Sequence, residues 1–279
     1  MGSLNDPTPN SAAQLLTNSG LEAPILLPNT PSFANNLDTY WSNTAKLTPA
    51  CIVCPRSAQE VSLVIKTLAA AQQPFALRSG GHTQFAGGNN IQDGVVIDLS
   101  HLNWTRFDSA SETVDIGPGA RWRTVYAELQ KHGRVVAGGR DGNVGVGGIL
   151  LGGGKTFFTA KRGFACDDVV AYEVVLADGR IVMADQETNE DLFRVLKGGS
   201  NNFGVVTNFK MRALKCERIW GGLNIFQKQV AGEAIRALVE FTNNAHGDED
   251  SHLLFFFTYM GMCYHESQFC LNLLLISSK

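Results

Sequence analysis

A chain of 279 residues, 44% hydrophobic and 18% charged, has the apolar material for one large domain or two modest ones, which excludes a disordered tail and a disulfide-built miniprotein. Its formal net charge of −3 leaves no basic footprint for a nucleic-acid backbone. Glycine is in excess, with 29 residues, nine of them between Gly138 and Gly154, so part of this backbone is built to come close to something.

In chain order, residues 1–35 are rich in Asn, Ser, Thr and Pro and read as a flexible lead-in. They show neither a basic n-region nor an apolar h-region, so no secretory signal is visible and the cytoplasm is mildly favoured. Ala50 to Val53 reads as a short strand. Its Cys51-Ile-Val-Cys54 has the spacing of a redox pair or half a zinc site, but no second pair follows; two small residues at a strand start is the preferred reading, and no metal site is expected. Ser57-Ala-Gln-Glu60 is a capping box, and Val61, Val64, Ile65 and Leu68 continue it at helical spacing. Pro74 stops that helix. Phe75-Ala-Leu77 reads as a buried strand, a glycine turn follows, and Gly94 to Leu99 supplies the next strand of a βαβ opening.

Further along, Thr113 to Ile116 is a strand ended by Gly117-Pro-Gly119. Arg123 to Lys131 is a helix with Gly133 placed to end it. Val169 to Ala177 and Arg180 to Ala184 form a hairpin around Asp178-Gly179, and Glu190 to Leu196 is a short helix before the strand Val205 to Met211. A strand (Gly222 to Phe226), an amphipathic helix (about Val230 to Ala245) and an apolar strand (Leu253 to Met260) then look like a second unit. No apolar run is long enough to span a bilayer, so no membrane is expected.

Two glycine-bearing segments carry chemistry. Arg78-Ser-Gly-Gly-His82 lies between a strand and a turn, where successive amides can converge on an anion. In Gly138 to Gly154 the glycines interleave with Val144, Val146, Ile149, Leu150 and Leu151, which reads as an ordered loop lying flat against a large planar ligand. Gly154-Lys155-Thr156 imitates the end of a phosphate-binding P-loop, but residue 149 is Ile where the first glycine belongs. The dinucleotide pattern Gly-x-Gly-x-x-Gly also fails, with Leu150 in the third place.

Taken in order over about Leu47 to Leu214, these elements resemble the FAD-binding, PCMH-type domain of the vanillyl-alcohol oxidase superfamily, berberine-bridge-enzyme-like and of the fungal type. The resemblance runs through Arg78-Ser-Gly-Gly-His82, Val96-Ile-Asp-Leu99, Gly117-Pro-Gly-Ala-x-Trp122 and Val144-Gly-Val-Gly-Gly148. It continues through Gly152-Gly-Gly154, Gly163-Phe-Ala-Cys-Asp167, Gly198-Gly199 and Asn202-Phe-Gly-Val-Val-Thr207. It implies an α+β fold: a two-subdomain FAD-binding domain over residues 36–215, the beginning of an incomplete α+β substrate domain over 216–260, and an off-pattern tail over 261–279.

It further implies that the loop of Arg78, Ser79, Gly80, Gly81, His82 and Thr83 wraps the FAD pyrophosphate with backbone amides. Pro118, Gly119, Val144, Gly145, Gly148 and Gly152 would line the dinucleotide, and Val205 and Val206 would meet it near the adenine. His82 matches the position that tethers flavin in members with covalent FAD. Asp141 stands where bicovalent members have a cysteine, so a second, cysteinyl tether is not expected. Ile149 stands where plant members often carry a histidine. The implied function is an FAD-linked oxidoreductase, with hydride passing from a small-molecule substrate to flavin N5 and O2 as reoxidant. The alternative is a non-catalytic FAD-binding fragment. The family's base comes from later segments, so no catalytic residue is assigned, and the other histidines read as ordinary strand- or helix-end residues. Oligomeric state is left open.

Overall fold

Strands buried on both faces need continuous apolar runs rather than alternation, and the runs around Cys51 and Val95 are of that kind. In the computed structural model, which describes residues 9–215, 220–260 and 268–277, they form the middle of the first sheet. The elements there are α1 (Pro9–Asn18), β1 (Ile25–Leu26), α2 (Pro31–Asp38), β2 (Cys51–Val53), α3 (Ala58–Ala70), β3 (Phe75–Arg78) and β4 (Val95–Asp98). The spatial order is β1-β2-β4-β3, with β2, β4 and β3 parallel and β1 antiparallel to β2. The expected βαβ unit is therefore opened by β4, which inserts between β2 and β3. That leaves β3 on the edge, and Phe75, expected to be buried, is 38% exposed.

The start of α3 follows its sequence closely. Ser57 Oγ accepts from the Glu60 amide at 3.1 Å, while the Glu60 carboxylate accepts from the Arg56 amide at 2.6 Å, one residue ahead of the cap. Val61, Val64, Ile65 and Leu68 are buried. One expectation fails at the N-terminus. From Pro9 onward the lead-in is folded: Ala12, Ala13 and Leu16 of α1 join the same core as Val61 and Val64. The Asn and Ser residues that suggested looseness lie beside a buried apolar stripe, and that stripe decides the conformation.

The second layer is built from β5 (Thr105–Asp108), β6 (Thr113–Ile116), α4 (Trp122–Gln130), β7 (Arg134–Val135), α5 (Val146–Leu151), α6 (Thr159–Arg162), β8 (Val169–Val175), β9 (Ile181–Asp185), α7 (Glu190–Leu196), β10 (Val205–Arg212) and β11 (Leu214–Lys215). Five strands form an antiparallel sheet in the order β5-β6-β10-β8-β9, and β7 pairs with β11. Trp122, Tyr172 and Phe209 are its fully buried aromatics. The Gly138–Gly154 segment, expected as a loop throughout, contains the helix α5. Val146, Leu150 and Leu151 fall on one side of a helix and enter the core, which outweighs the helix-breaking tendency of Gly147 and Gly148.

A last sheet holds β12 (Trp220–Gln227), β13 (Ser251–Met260) and β14 (Gln268–Ser277) in the order β12-β14-β13, with α8 (Ala231–Asn243) between β12 and β13 in the chain. The tail that matched no family pattern thus contributes the middle strand, pairing along β13 from Ser251 to Met260. Residues 261–267 of that tail lie outside the described residues. Among the described residues, no helix is long and apolar enough to cross a membrane.

Leu16 tests whether α1 belongs to the fold. It is fully buried, so Leu16→Ala is expected to cost about 2–5 kcal/mol in urea unfolding, the range for a large-to-small change in a core. A loose lead-in would give a change near zero.

Candidate functional site

Two glycines put the site together. The loop after β3 and the loop before α5 meet backbone to backbone: a Cβ on Gly80 would lie 2.4 Å from the Gly145 amide nitrogen and 2.5 Å from its Cα, and a Cβ on Gly145 would meet Gly80 at the same distances. No side chain fits between them. Ser79 ties this junction to a third loop. Its hydroxyl donates to the Pro118 carbonyl at 2.6 Å and accepts from the Gly147 amide at 3.2 Å. Residues 79–81, 118 and 145–147 are therefore held as one surface drawn from both layers.

Arg78 lies beneath this surface and takes no part in it. The guanidinium is buried and stacks on the Tyr40 ring, 3.9 Å from its centroid. It donates to the Asn36 carbonyl at 3.0 Å, to Asn36 Oδ1 and Thr39 Oγ1, and stands 3.6 Å from the buried Asp98 carboxylate. Gly81, with φ of +69°, leaves room for it: a Cβ there would lie 3.0 Å from Arg78 Nε. Arg78 is a structural cation that anchors β3 to α2, with its side chain turned away from the cavity. Burial raises the Tyr40 hydroxyl to about 12, which keeps that ring a neutral platform. Burial likewise pushes the Cys51 thiol to about 11 and the Cys54 thiol to about 12. Both are free and buried, and so poor nucleophiles.

The three-loop surface forms one wall of a cavity of about 390 Å³. Ser79, Gly80, Gly81, His82, Thr83, Pro118, Val144, Gly145, Gly148, Val205 and Val206 line it. Gly119 and Gly152 do not. Gly119 packs on the backbone near Leu99, where a Cβ would lie 1.9 Å from the carbonyl oxygen, and Gly152 ends α5. Sequence reading missed Leu77, Asn89, Leu99, Asn201 and Phe209; these are ordinary strand and loop residues whose role depends on which layer faces which. Gly204 had a signal, its glycine motif, and its φ of +139° shows why glycine is required.

Charge is absent from the lining. It contains no Lys, Arg, Asp or Glu, and His82 is its one titratable side chain among the described residues. An anionic group placed there would have backbone N–H groups rather than charged side chains to meet it. His82 is half-buried and stacks on Trp41, with ring centroids 4.8 Å apart and planes within 20°. The Trp41 amide donates to the Gly81 carbonyl at 3.0 Å, so Trp41 is held against the loop by its own backbone. It was not anticipated from sequence. The Asp141 carboxylate caps its own turn by accepting from the Asn143 amide at 2.7 Å. Cys166 lies off the cavity, its carbonyl accepting from Lys197 Nζ at 2.8 Å. Thr156 is buried and its hydroxyl accepts from the Phe158 amide at 2.8 Å, which removes it as a P-loop hydroxyl. Among the described residues, no group of three His, Cys, Asp or Glu side chains is placed to hold a metal ion.

A glycine-walled cleft with an apolar floor and no fixed charge fits an extended dinucleotide carrying a pyrophosphate. Gly148 lines the cleft, and a Cβ there would meet no atom within 4 Å. Comparison with known proteins agrees. Residues 49–185 match the family model described as "FAD binding domain". The FAD-dependent monooxygenase drtC of Aspergillus calidoustus is 49% identical over 225 residues, 79% of this chain and 43% of the relative. Among solved structures, berberine-bridge-enzyme-like protein 1 of Physcomitrella patens superposes with a TM-score of 0.83 at 22% identity, covering 96% of this chain and 56% of its own. The xylooligosaccharide oxidase of Myceliophthora thermophila, solved with xylobiose, gives 0.80 at 24%, covering 96% and 55%. The chain spans about half the length of the curated relatives it matches.

The Gly80–Gly145 contact and the open position at Gly148 predict opposite outcomes for one added methyl group. Gly80→Ala forces two backbones apart and is expected to destabilise by about 1–3 kcal/mol, as overpacking does. Gly148→Ala is expected to hold or raise stability by up to about 1 kcal/mol. Denaturant unfolding of the two variants side by side reads the difference.

Proposed function

We propose that this chain, which carries an FAD binding domain over residues 49–185 and shares its fold with berberine-bridge-enzyme-like proteins, is an FAD-linked oxidoreductase of that kind, and that its cavity holds FAD for the oxidation of a small-molecule substrate. The observation that carries this reading is the cleft itself, which joins glycine backbone from both layers and runs from His82 to Val206 without a charged wall. Bound FAD would supply the redox chemistry, taking hydride from a substrate carbon at N5 and passing the electrons on to O2.

The chain's own residues bind and orient. Gly80, Gly81, Gly145 and Gly148 would bring their backbone to the pyrophosphate, and Ser79 keeps their loops in register through its bonds to Pro118 and Gly147. Val205 and Val206, at the start of β10, would support the adenine. His82, held face-on by Trp41, is the residue we assign to covalent attachment where attachment occurs. Asp141 and Cys166 offer no second tether. Residues 36–215 make up the FAD-holding unit in this proposal, joined by α1, and residues 216–260 begin the unit facing the substrate.

A second reading has its own support. His82 is the one titratable side chain lining the cavity among the described residues, so a base for substrate oxidation must come from elsewhere. A flavin-holding unit without turnover satisfies the same geometry. Peroxide release from the FAD-loaded chain, assayed with candidate alcohols and sugars, separates the two.

Two outcomes test the cofactor. In calorimetric titration FAD is expected to bind at least about tenfold more tightly than FMN, since the adenine half adds contacts worth about 1.4 kcal/mol or more; equal affinities would defeat the dinucleotide reading. If flavin absorbance stays with acid-denatured protein, His82→Ala is expected to abolish it and Cys166→Ala to leave it. Retention in His82→Ala would refute the tether.

A further inference from the structure

Arg140 is a cation left with donors to spare. It is half-buried at the bend of the loop whose far end, Val144 and Gly145, forms the cavity wall. Its Nη1 lies 3.0 Å from Nε2 of His252, at the start of β13. A guanidinium carries five N–H donors, and this contact uses one. Among the described residues, Lys161, Arg162 and Arg212 are among the cations engaged in ion pairs, but none of those pairs engages Arg121, Arg123, Arg140 or Lys155. A cation that gives up water without gaining a carboxylate is at a disadvantage, and burial holds the Arg140 guanidinium below its ordinary value.

His252 is tuned to suit. Burial first, then the charges of Arg140 and Lys155, hold its imidazole below the usual histidine range. A neutral ring with Nε2 as acceptor is the form that receives Arg140. The other cations from the neighbouring helix α6 are already matched: Lys161 meets Asp250 at 3.0 Å and Arg162 binds Asp168. Phe157 stands edge-on to His252, with ring centroids 5.6 Å apart. The seam between the cavity loop and the last sheet thus carries a guanidinium with free donors, an exposed ammonium, an imidazole and an aromatic edge.

We propose that Arg140, with His252 and Lys155, binds the carboxylate of a small organic acid at this seam. The substrate class of the adjoining site is then a carboxylated small molecule, an extension that rests on reading the cavity as the flavin site. Arg140 supplies the planar fork that suits a carboxylate, Lys155 adds attraction at the exposed rim, and Phe157 offers a wall for an apolar or aromatic body.

The test uses the full 279-residue chain, with and without FAD, and benzoate against benzamide as probes. Benzoate is expected to bind at least about tenfold more tightly than its neutral isostere in both forms. Arg140→Gln is expected to remove that preference, while Lys155→Gln, an exposed change that leaves the fold intact, weakens benzoate by about two- to threefold through lost long-range attraction. The labelled imidazole of His252 should shift in NMR with benzoate and not with benzamide. A purely structural Arg140–His252 contact would lower thermal stability in Arg140→Gln yet leave the benzoate-to-benzamide ratio unmoved, and that result overturns the proposal. So does tighter binding of inorganic phosphate than of benzoate. Benzoate preference in a chain that takes up no FAD would keep the anion site and defeat the flavin reading; FAD uptake with no benzoate preference would do the reverse.

Discussion

The contact between Gly80 and Gly145 is the constraint on which this structure turns. Two loops from different layers approach so closely that a methyl group on either would sit inside the other's backbone, 2.4 Å from its amide nitrogen. Ser79 makes the approach specific by spending its hydroxyl on both Pro118 and Gly147. Once these loops are joined, the parallel sheet and the antiparallel sheet share one surface, and the cavity is what lies above it. The nearby glycines serve the same end. Gly138 and Gly139 lie so close to the buried Trp122 indole that a Cβ on either would come within 2.4 Å of it, and this brings the next part of the loop into place.

Charge is arranged around the cleft and kept out of it. Arg78 is the one guanidinium in the loop that resembles an anion-binding motif, and it is turned inward onto Tyr40, Asn36 and Asp98. A lysine or arginine in the lining would bind an anion with little regard to its orientation, whereas amides fixed in two touching loops select a position as well as a charge. Two cations without a carboxylate partner, Arg140 and Lys155, instead stand near His252 at the start of β13 in the last sheet. A chain of net charge −3 can therefore present a locally positive seam beside a neutral cleft.

The last sheet differs in kind from the first two. Every residue of β12 is exposed, with Trp220 at 66% and Leu223 at 54%, and α8 presents Ile235 and Val239 to solvent. The amphipathic pattern that made these elements legible is a pattern for burial, and the described residues do not bury it. By contrast, the second layer encloses Trp122, Tyr172 and Phe209 completely, and there the binding surface is well defined.

Local order was largely written in the residues themselves. The capping Ser57, the run at Val95, the hairpin at Asp178-Gly179 and the short helix at Glu190 all depend on neighbours within a few positions, and each forms where its pattern stands. The order of glycine motifs was also sufficient to bring the FAD-binding resemblance and half of the residues that line the cavity into view. What the sequence could not determine were the relations across distance. Whether Arg78 faces a ligand or its own core depends on Tyr40 and Asp98, 38 and 20 residues away; whether α1 is loose depends on Val61 and Val64 of α3. The strand that parts β2 from β3, the Trp41 ring beneath His82 and the meeting of Arg140 with His252 are likewise decided by tertiary packing. Short-range hydrogen bonding and periodicity leave their mark in consecutive residues, but which face turns toward which is settled only when the layers close on each other and every buried polar group must find its partner.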